Sequence, residues 1–259
     1  VPLAATDIFK ANVLAHVSPE RRPRYVAMWE EAIDSLETDN PDGFFGHLLT
    51  LMLRSPAKRA LIDCLSEQVL TPFFATKSGE QFIDEVLVPN ARAYTLATRA
   101  PLTRHPAATH LELLRLYDSA DWKPAAMYVL GTNRSDEDVR ALLRTLERIY
   151  GTAVAARVVP GTRTSIVTQF ISAVEDGQPI DIACSVPDDI RHRAAATIAR
   201  PLPRSSIRKV LLYHALVAEQ RSFPARLPRS LGVLPGLPTK QIHGVHKKID
   251  TQAWNKRLG

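Results

Sequence analysis

The amino-acid sequence predicts a mainly α-helical fold, in which a multi-helix domain is followed by a short, basic, partly irregular segment. Three observations lead to this prediction. Apolar residues recur at three-to-four-residue spacing through most of the chain, and residues typical of helix starts precede these runs. After Arg221, prolines and glycines interrupt the pattern repeatedly. Because 45% of the 259 residues are apolar, the chain can bury a substantial core.

The first two predicted helices begin at short polar signals. The pair Thr6-Asp7 can cap the first helix, and its apolar face carries Phe9, Val13 and Val17. The pair Ser18-Pro19 has the pattern of an N-cap followed by a first-turn proline, and it predicts the start of the second helix. The apolar residues of that helix are Tyr25, Val26, Trp29, Ile33 and Leu36.

Ser78 and Gln81 have the spacing of a capping box, in which each side chain bonds the backbone N–H of the other residue. They precede the apolar residues Phe82, Ile83, Val86 and Leu87, so a helix begins here. Periodicity predicts further helices over 44–52, 61–69, 109–117, 124–130, 135–150, 162–175, 188–198 and 205–219. No pair of alternating strands joined by a tight turn precedes residue 220.

The segment beyond Arg221 has a different composition. Its prolines and glycines predict a loop or the start of a second, less helical unit. Residues 241–250 can form one short strand, and 251–258 have the pattern of a helix start that bears Trp254. We therefore divide the chain into a helical connector domain, 1–203, and a basic segment, 204–259.

Charge is distributed unevenly along the chain. From Arg200 to Gly259 there are twelve Lys or Arg and two acidic residues, a net charge of +10, whereas the other 199 residues hold 21 basic and 25 acidic residues, a net charge of −4. A segment of this charge attracts polyanions, because each neutralised phosphate releases condensed counterions. The alternative is a solvated basic surface without a partner.

Several protein classes lack support in the sequence. There is no glycine-rich phosphate loop, CxxC pair or GxSxG elbow. The apolar runs are far shorter than the roughly 20 residues that cross a bilayer, and the first residues do not form a secretory signal. Cys64 and Cys184 are too few for a disulfide framework, so we expect reduced, buried thiols in a cytoplasmic protein. Since the chain opens on Val1, we expect it to be part of a larger protein.

Acidic residues at helix starts have simple structural explanations. Asp136, Glu137 and Asp138 lie where carboxylates interact favourably with a helix dipole. Asp118, Asp121 and Trp122 precede Pro124, and we expect them to cap a helix and to anchor the turn in the core. Scattered single histidines elsewhere receive no chemical role.

His243 and His246 differ from the other histidines because Lys247 and Lys248 follow them in the basic region. Imidazoles can activate water or hold a divalent metal ion near a scissile phosphate. If this segment is a strand, residues three apart point to opposite faces, so a single imidazole would enter the site. The alternative is a pair of surface histidines in a phosphate-contacting loop.

Several stretches together resemble GmrSD-type restriction proteins, in register over nearly all of the chain. They are LAATDIFKANVL, RYVAMWEEAID, FIDEVLVPNARAY, LELLRLYDSADWKPAAMYVL, LRTLERIY and the closing AWNKRLG. Such proteins combine a ParB-like N-terminal nucleotide-hydrolysing domain, a helical connector and a C-terminal HNH-type nuclease that cuts modified foreign DNA. The resemblance covers the connector and the opening of the ββα nuclease unit. The signature of the ParB-like domain is absent, so the resemblance assigns no nucleotide hydrolysis to this chain.

The resemblance also implies site residues. The order of QIHGVHKKID, Trp254 and Leu258-Gly259 matches the start of the family's nuclease, with His243, or failing it His246, as the catalytic base. Ile242 replaces the acidic residue that the family has before its histidine, and the chain stops before the remaining catalytic residues. A divalent ion, Mg²⁺ or Mn²⁺, is implied, with His243 as a ligand. The expected DNA-binding residues are Arg229, Lys240, Lys247, Lys248, Lys256 and Arg257.

Three functions follow from these patterns. The first is a DNA-targeting restriction effector whose partners are modified foreign DNA and its own ParB-like domain, with no membrane partner. The second is a non-catalytic helical connector whose basic tail binds DNA. The third is a protein-interaction scaffold that uses the acidic helical part as its working surface.

Overall fold

The computed structural model describes residues 5–38, 41–55, 63–99, 108–178, 186–200 and 207–211. These residues are mainly helical and include no strand, which confirms the mainly α prediction. Within the same residues, no helix combines the length and apolarity of a membrane span. The expected strand at 241–250 and the HNH-type unit lie outside the described residues.

The helices within the described residues are numbered α1 to α10 in chain order. The first three are α1 (Ala5–Ala15), α2 (Arg22–Asp34) and α3 (Asp42–Leu53). Helix α4 consists of a π-helical segment, Cys64–Leu70, followed by one α-helical turn, Thr71–Phe74. Helix α5 consists of three consecutive segments, which are Gly79–Gln81, the π-helical Phe82–Leu87, and Val88–Thr98. The last five are α6 (Ala108–Arg115), α7 (Lys123–Gly131), α8 (Asp136–Ala155), α9 (Pro160–Glu175) and α10 (Asp188–Ile198).

Helix α7 lies at the centre of the packing and contacts α3, α5, α8 and α9. Its buried residues are mostly small, and they include Ala125, Ala126 and Val129. Small side chains let neighbouring helices approach closely on several sides. Helix α8 forms a second centre, with α6, α7, α9 and α10 packed against it.

Aromatic side chains fill the core between α1 and α5. The ring of Phe9, which is 1% exposed, lies 5.0 Å from the ring of Phe45 and 5.7 Å from the rings of Trp29 and Phe82, measured between centroids. Edge-to-face contacts at these distances stabilise beyond the burial of apolar area alone. The apolar face predicted for the first helix, with Phe9, Val13 and Val17, is therefore confirmed as buried. Cys64 is a free, buried thiol, as expected.

The predicted capping box at the start of α5 is present. The Ser78 hydroxyl accepts from the Gln81 N–H, and the Gln81 side chain accepts from the Ser78 N–H. Gly79 donates its N–H to the His16 carbonyl at 2.9 Å. A Cβ on Gly79 would lie 2.5 Å from the Val13 carbonyl oxygen, so this position has no room for a side chain.

Two predicted helix starts are wrong. Helix α1 already includes Thr6 and Asp7, and the N-cap of α2 is Arg21. Ser18 instead donates its N–H to Glu80 Oε1 at 3.0 Å and its hydroxyl at 2.8 Å. These bonds, the backbone one foremost, lower the pKa of Glu80 to about 2. A tertiary contact across 62 residues has replaced the local cap that the sequence suggested.

Prolines accompany both π-helical segments. Pro72 and Pro89 each follow the end of a π-helical segment by two residues. A proline donates no N–H and crowds the preceding turn, and a wider turn relieves that crowding. Asn90 Nδ2 donates to the Val86 carbonyl at 2.7 Å, which supplies a side-chain donor in this turn. The helix therefore continues to Thr98, well past the apolar pattern that ends at Leu87.

Candidate nucleic-acid interface

The predicted catalytic, metal-binding and DNA-binding side chains lie outside the described residues. They are Arg229, Lys240, His243, His246, Lys247, Lys248, Lys256 and Arg257. Their convergence on one surface therefore stays a prediction. The described residues show how the beginning of the basic segment attaches to the helical domain.

Residues 207–211 are helical and pack against that domain. Val210 is 3% exposed and belongs to the same hydrophobic core as the residues of α1 to α10. Lys209 Nζ lies 3.8 Å from Asp118 Oδ1, in an exposed ion pair that adds little stability. Helical packing thus includes residues beyond Pro203, and burial of Val210 anchors the start of the basic segment.

The α6–α7 connection, which receives Lys209, is tied to the first turn of α9. Arg163 donates from Nε and from Nη2 to Asp121 Oδ2, at 2.8 and 2.7 Å. Its Nη1 donates to the Val158 carbonyl at 2.8 Å. Both charged side chains are mostly buried, 13% exposed for Arg163 and 21% for Asp121. This ion pair is consequently screened less than those on the surface.

The roles expected around residue 120 are partly corrected. Asp118 and Asp121 form ion pairs with Lys209 and Arg163, where helix capping had been predicted. The N-cap position of α7 is Trp122, which makes no side-chain capping bond but is 2% exposed. The prediction that Trp122 anchors this turn in the core is therefore confirmed.

A buried tyrosine pair lies beside this connection. The rings of Tyr117 and Tyr150 are edge to face at 5.2 Å, and the Tyr150 hydroxyl is hydrogen bonded to the Ser119 hydroxyl. Burial raises the pKa of both phenols, and the negative charge of the buried Glu147 raises that of Tyr117 further. Both phenols stay protonated near neutral pH, which suits hydrogen bonding and disfavours nucleophilic or base chemistry.

His47 on α3 occupies the other partly buried polar cluster. Its ring is 6.1 Å from the ring of Tyr94, and Lys123 Nζ lies 5.2 Å above the same Tyr94 ring. Burial, aided by the positive charge of Lys123, lowers the pKa of His47 to about 4. An imidazole with this pKa is neutral at physiological pH and is a weak base.

No metal site is assembled by the residues that the structure describes, since no three His, Cys, Asp or Glu side chains group suitably. The acidic cluster Asp136, Glu137 and Asp138 lies in the first turn of α8, and the Ser135 hydroxyl accepts from the Asp138 N–H. Capping and the helix dipole explain these carboxylates, as predicted.

No family model, curated protein or solved structure matches the chain. The likeness to GmrSD-type restriction proteins therefore depends on the sequence stretches given above.

Proposed function

We propose that this chain is the helical connector and the opening of the nuclease domain of a cytoplasmic, modification-dependent restriction effector of GmrSD type. The intact protein binds DNA and nicks or cleaves it by HNH-type chemistry. One observation carries the proposal: a net charge of +10 in the last sixty residues, against −4 in the rest of the chain. That contrast is suited to a polyanionic partner that binds the C-terminal part of the chain.

Each candidate residue has a role in this proposal. His243, or failing it His246, takes the proton of the attacking water. The divalent ion, Mg²⁺ or Mn²⁺, with His243 among its ligands, would supply charge stabilisation at the phosphate. The basic side chains Arg229, Lys240, Lys247, Lys248, Lys256 and Arg257 hold the DNA backbone without reading its sequence.

The attachment of the basic segment supports a connector role for the helical domain. Val210 is buried in the domain core, so residues 207–211 are fixed to the helical domain as their base. When DNA binding moves a unit that is attached to such a base, the movement is passed to the helices that the unit contacts. A flexible tether would not pass it on. The expected ParB-like domain of the same protein would be the recipient of that displacement.

A plasmid-nicking assay on the intact protein tests the catalytic part. We expect Mg²⁺- or Mn²⁺-dependent nicking that falls at least about a hundredfold in the His243→Ala, His246→Ala double variant, the range for loss of a general base. His192→Ala, an exposed histidine on α10, is the matched control and keeps full activity.

Full activity in the double variant removes both histidines from the mechanism. DNA binding that weakens steeply with salt, without any cleavage and without response to chelators, would favour the non-catalytic connector. DNA affinity equal to that of a neutral control protein would contradict both and favour the interaction scaffold.

A further inference from the structure

Three polar side chains from three helices meet at a partly buried place in the helical domain. Lys123, the first residue of α7, has its Nζ 3.5 Å from the hydroxyl oxygen of Tyr94 on α5 and 5.2 Å from the centre of the Tyr94 ring. The ring of His47, from the middle of α3, lies 6.1 Å from the ring of Tyr94. All three residues are partly exposed to solvent. We call these three residues the Lys123 cluster.

Lys123 differs from the other lysines that the structure describes. Lys10, Lys77 and Lys209 each pair with a carboxylate, at distances from Nζ to oxygen of 2.9, 2.6 and 3.8 Å. No carboxylate of the described residues pairs with Lys123. Water satisfies a fully exposed cation, but a partly buried ammonium has lost some of that solvation. The site therefore favours an anion from outside the chain.

The Lys123 cluster also has more hydrogen-bond donors than acceptors. The ammonium of Lys123 carries three protons, and the Tyr94 hydroxyl accepts from it and keeps its own proton to donate. Neither ring nitrogen of His47 is bonded to another described residue, and a neutral imidazole carries one N–H. Burial and the positive charge of Lys123 both lower the pKa of His47. Donors grouped in this way suit a ligand that is rich in acceptor oxygens.

We propose that the Lys123 cluster binds a small oxyanion of the phosphate class. A phosphate group presents several acceptor oxygens and brings the counter-charge that Lys123 lacks, and hydrogen bonds between charged groups are stronger than neutral ones. The bound anion would join α3, α5 and α7, which already pack against one another. This site goes beyond the proposed DNA binding, because it uses none of the residues of the basic segment.

The test follows the imidazole signals of the full chain by NMR while sodium phosphate is added at constant pH. The chain has eight histidines, and the signal of His47 is the one that is lost in His47→Gln. We expect this signal to shift and to saturate in the millimolar range of phosphate, and sodium chloride at equal ionic strength to leave it unchanged. An equal shift with chloride, or a shift that does not saturate, would overturn the proposal.

Single variants then locate the bound phosphate. Lys123→Gln should lower the phosphate affinity at least about tenfold, the range for loss of a hydrogen bond to a charged group. Tyr94→Phe keeps the ring that packs edge to face on Phe44 and should lower the affinity about fivefold through loss of the hydroxyl. Lys77→Gln, which removes the ammonium paired with Glu85, is the matched control and keeps the affinity of the unaltered chain.

The variants also give the results that would contradict the site. Equal losses of affinity in Lys123→Gln and Lys77→Gln would overturn it, because the effect would then be one of net charge. Circular dichroism shows which variants keep the helical fold. If Lys123→Gln does not fold, Tyr94→Phe decides, and unchanged phosphate affinity in that variant would contradict the site. Acetate that binds as tightly as phosphate would contradict the assignment to the phosphate class.

Discussion

The two halves of the helical domain share one hydrophobic core but differ in the contacts that lie beside it. Between α1 and α5, the core is a cluster of aromatic rings around Phe9. Around α8, the tyrosine pair and the ion pair of Asp121 with Arg163 tie loops to helices. The polar contacts lie beside Asp118, which meets Lys209 of the basic segment.

This difference has a physical meaning for the proposed function. Apolar packing is non-directional and is little affected by nearby charge, so α1 to α5 are suited to a stable base. A mostly buried ion pair depends on one geometry and is costly to break, so it fixes the position of the α6–α7 connection relative to α9. The half that uses such contacts is the one that receives the basic segment.

The largest expected effect is the loss of stability when the aromatic core of α1 to α5 is disrupted. Phe9→Ala should lower the free energy of unfolding by about 3–5 kcal/mol, because it removes a buried ring and leaves a cavity between three other rings. Urea unfolding followed by circular dichroism measures it. Ile8→Ala, at an adjacent position that is 40% exposed, is the control and should change stability by less than about 0.5 kcal/mol. A small change in the free energy of unfolding for Phe9→Ala would show that this aromatic cluster contributes little to the stability of the fold.

The next effect concerns pH and His47. The pKa of His47 is about 4 in the folded chain, below its ordinary value of 6.5. As the pH drops from 6.5 to 4, the unfolded chain takes up a proton on this imidazole before the folded chain does, so the free energy of unfolding falls. The difference between these two pKa values corresponds to a loss of about 3 kcal/mol at most in the free energy of unfolding. His47→Gln should remove this slope in urea midpoints measured over that range. An unchanged slope in the variant would assign the pH dependence to other groups.

A charge deletion tests the ion pair of the other half. Arg163→Ala should lower the free energy of unfolding by about 2 kcal/mol, because it leaves the mostly buried Asp121 without its cation. Arg163→Ala combined with Asp121→Ala should be less destabilising than the sum of the two single changes. Arg193→Ala, which removes an exposed pair with Asp189, is the control and should have little effect. Additive losses at Asp121 and Arg163 would contradict the coupling.

The helical elements could be predicted from sequence because their signals are local. Helix α10 has the predicted bounds of 188–198, and Ser135 caps α8 at the predicted start. Periodicity and capping act over three or four residues, and a single sequence displays both. The helix beyond Pro89 was missed because a proline ordinarily ends a helical pattern.

The contacts between distant residues could not be predicted in this way. Asp121 and Arg163 are 42 residues apart, and Ser18 and Glu80 are 62 apart, so no local spacing relates them. Ser18 has the local pattern of an N-cap, but in the fold a carboxylate from α5 takes both its donors.

Gly79 combines a predictable and an unpredictable feature, and it provides the last test. Its place in the capping box follows from sequence, but its contact with the end of α1 does not. Gly79→Ala should lower the free energy of unfolding by about 1–3 kcal/mol, because the new Cβ would overlap the Val13 carbonyl, a backbone atom that cannot turn aside. Gly46→Ala, inside α3 with open space around its Cβ, should instead raise stability by up to about 1 kcal/mol through helix propensity. In urea unfolding, the two variants should change the free energy of unfolding in opposite directions, because α5 approaches α1 closely at Gly79. Changes in the same direction would contradict that close approach.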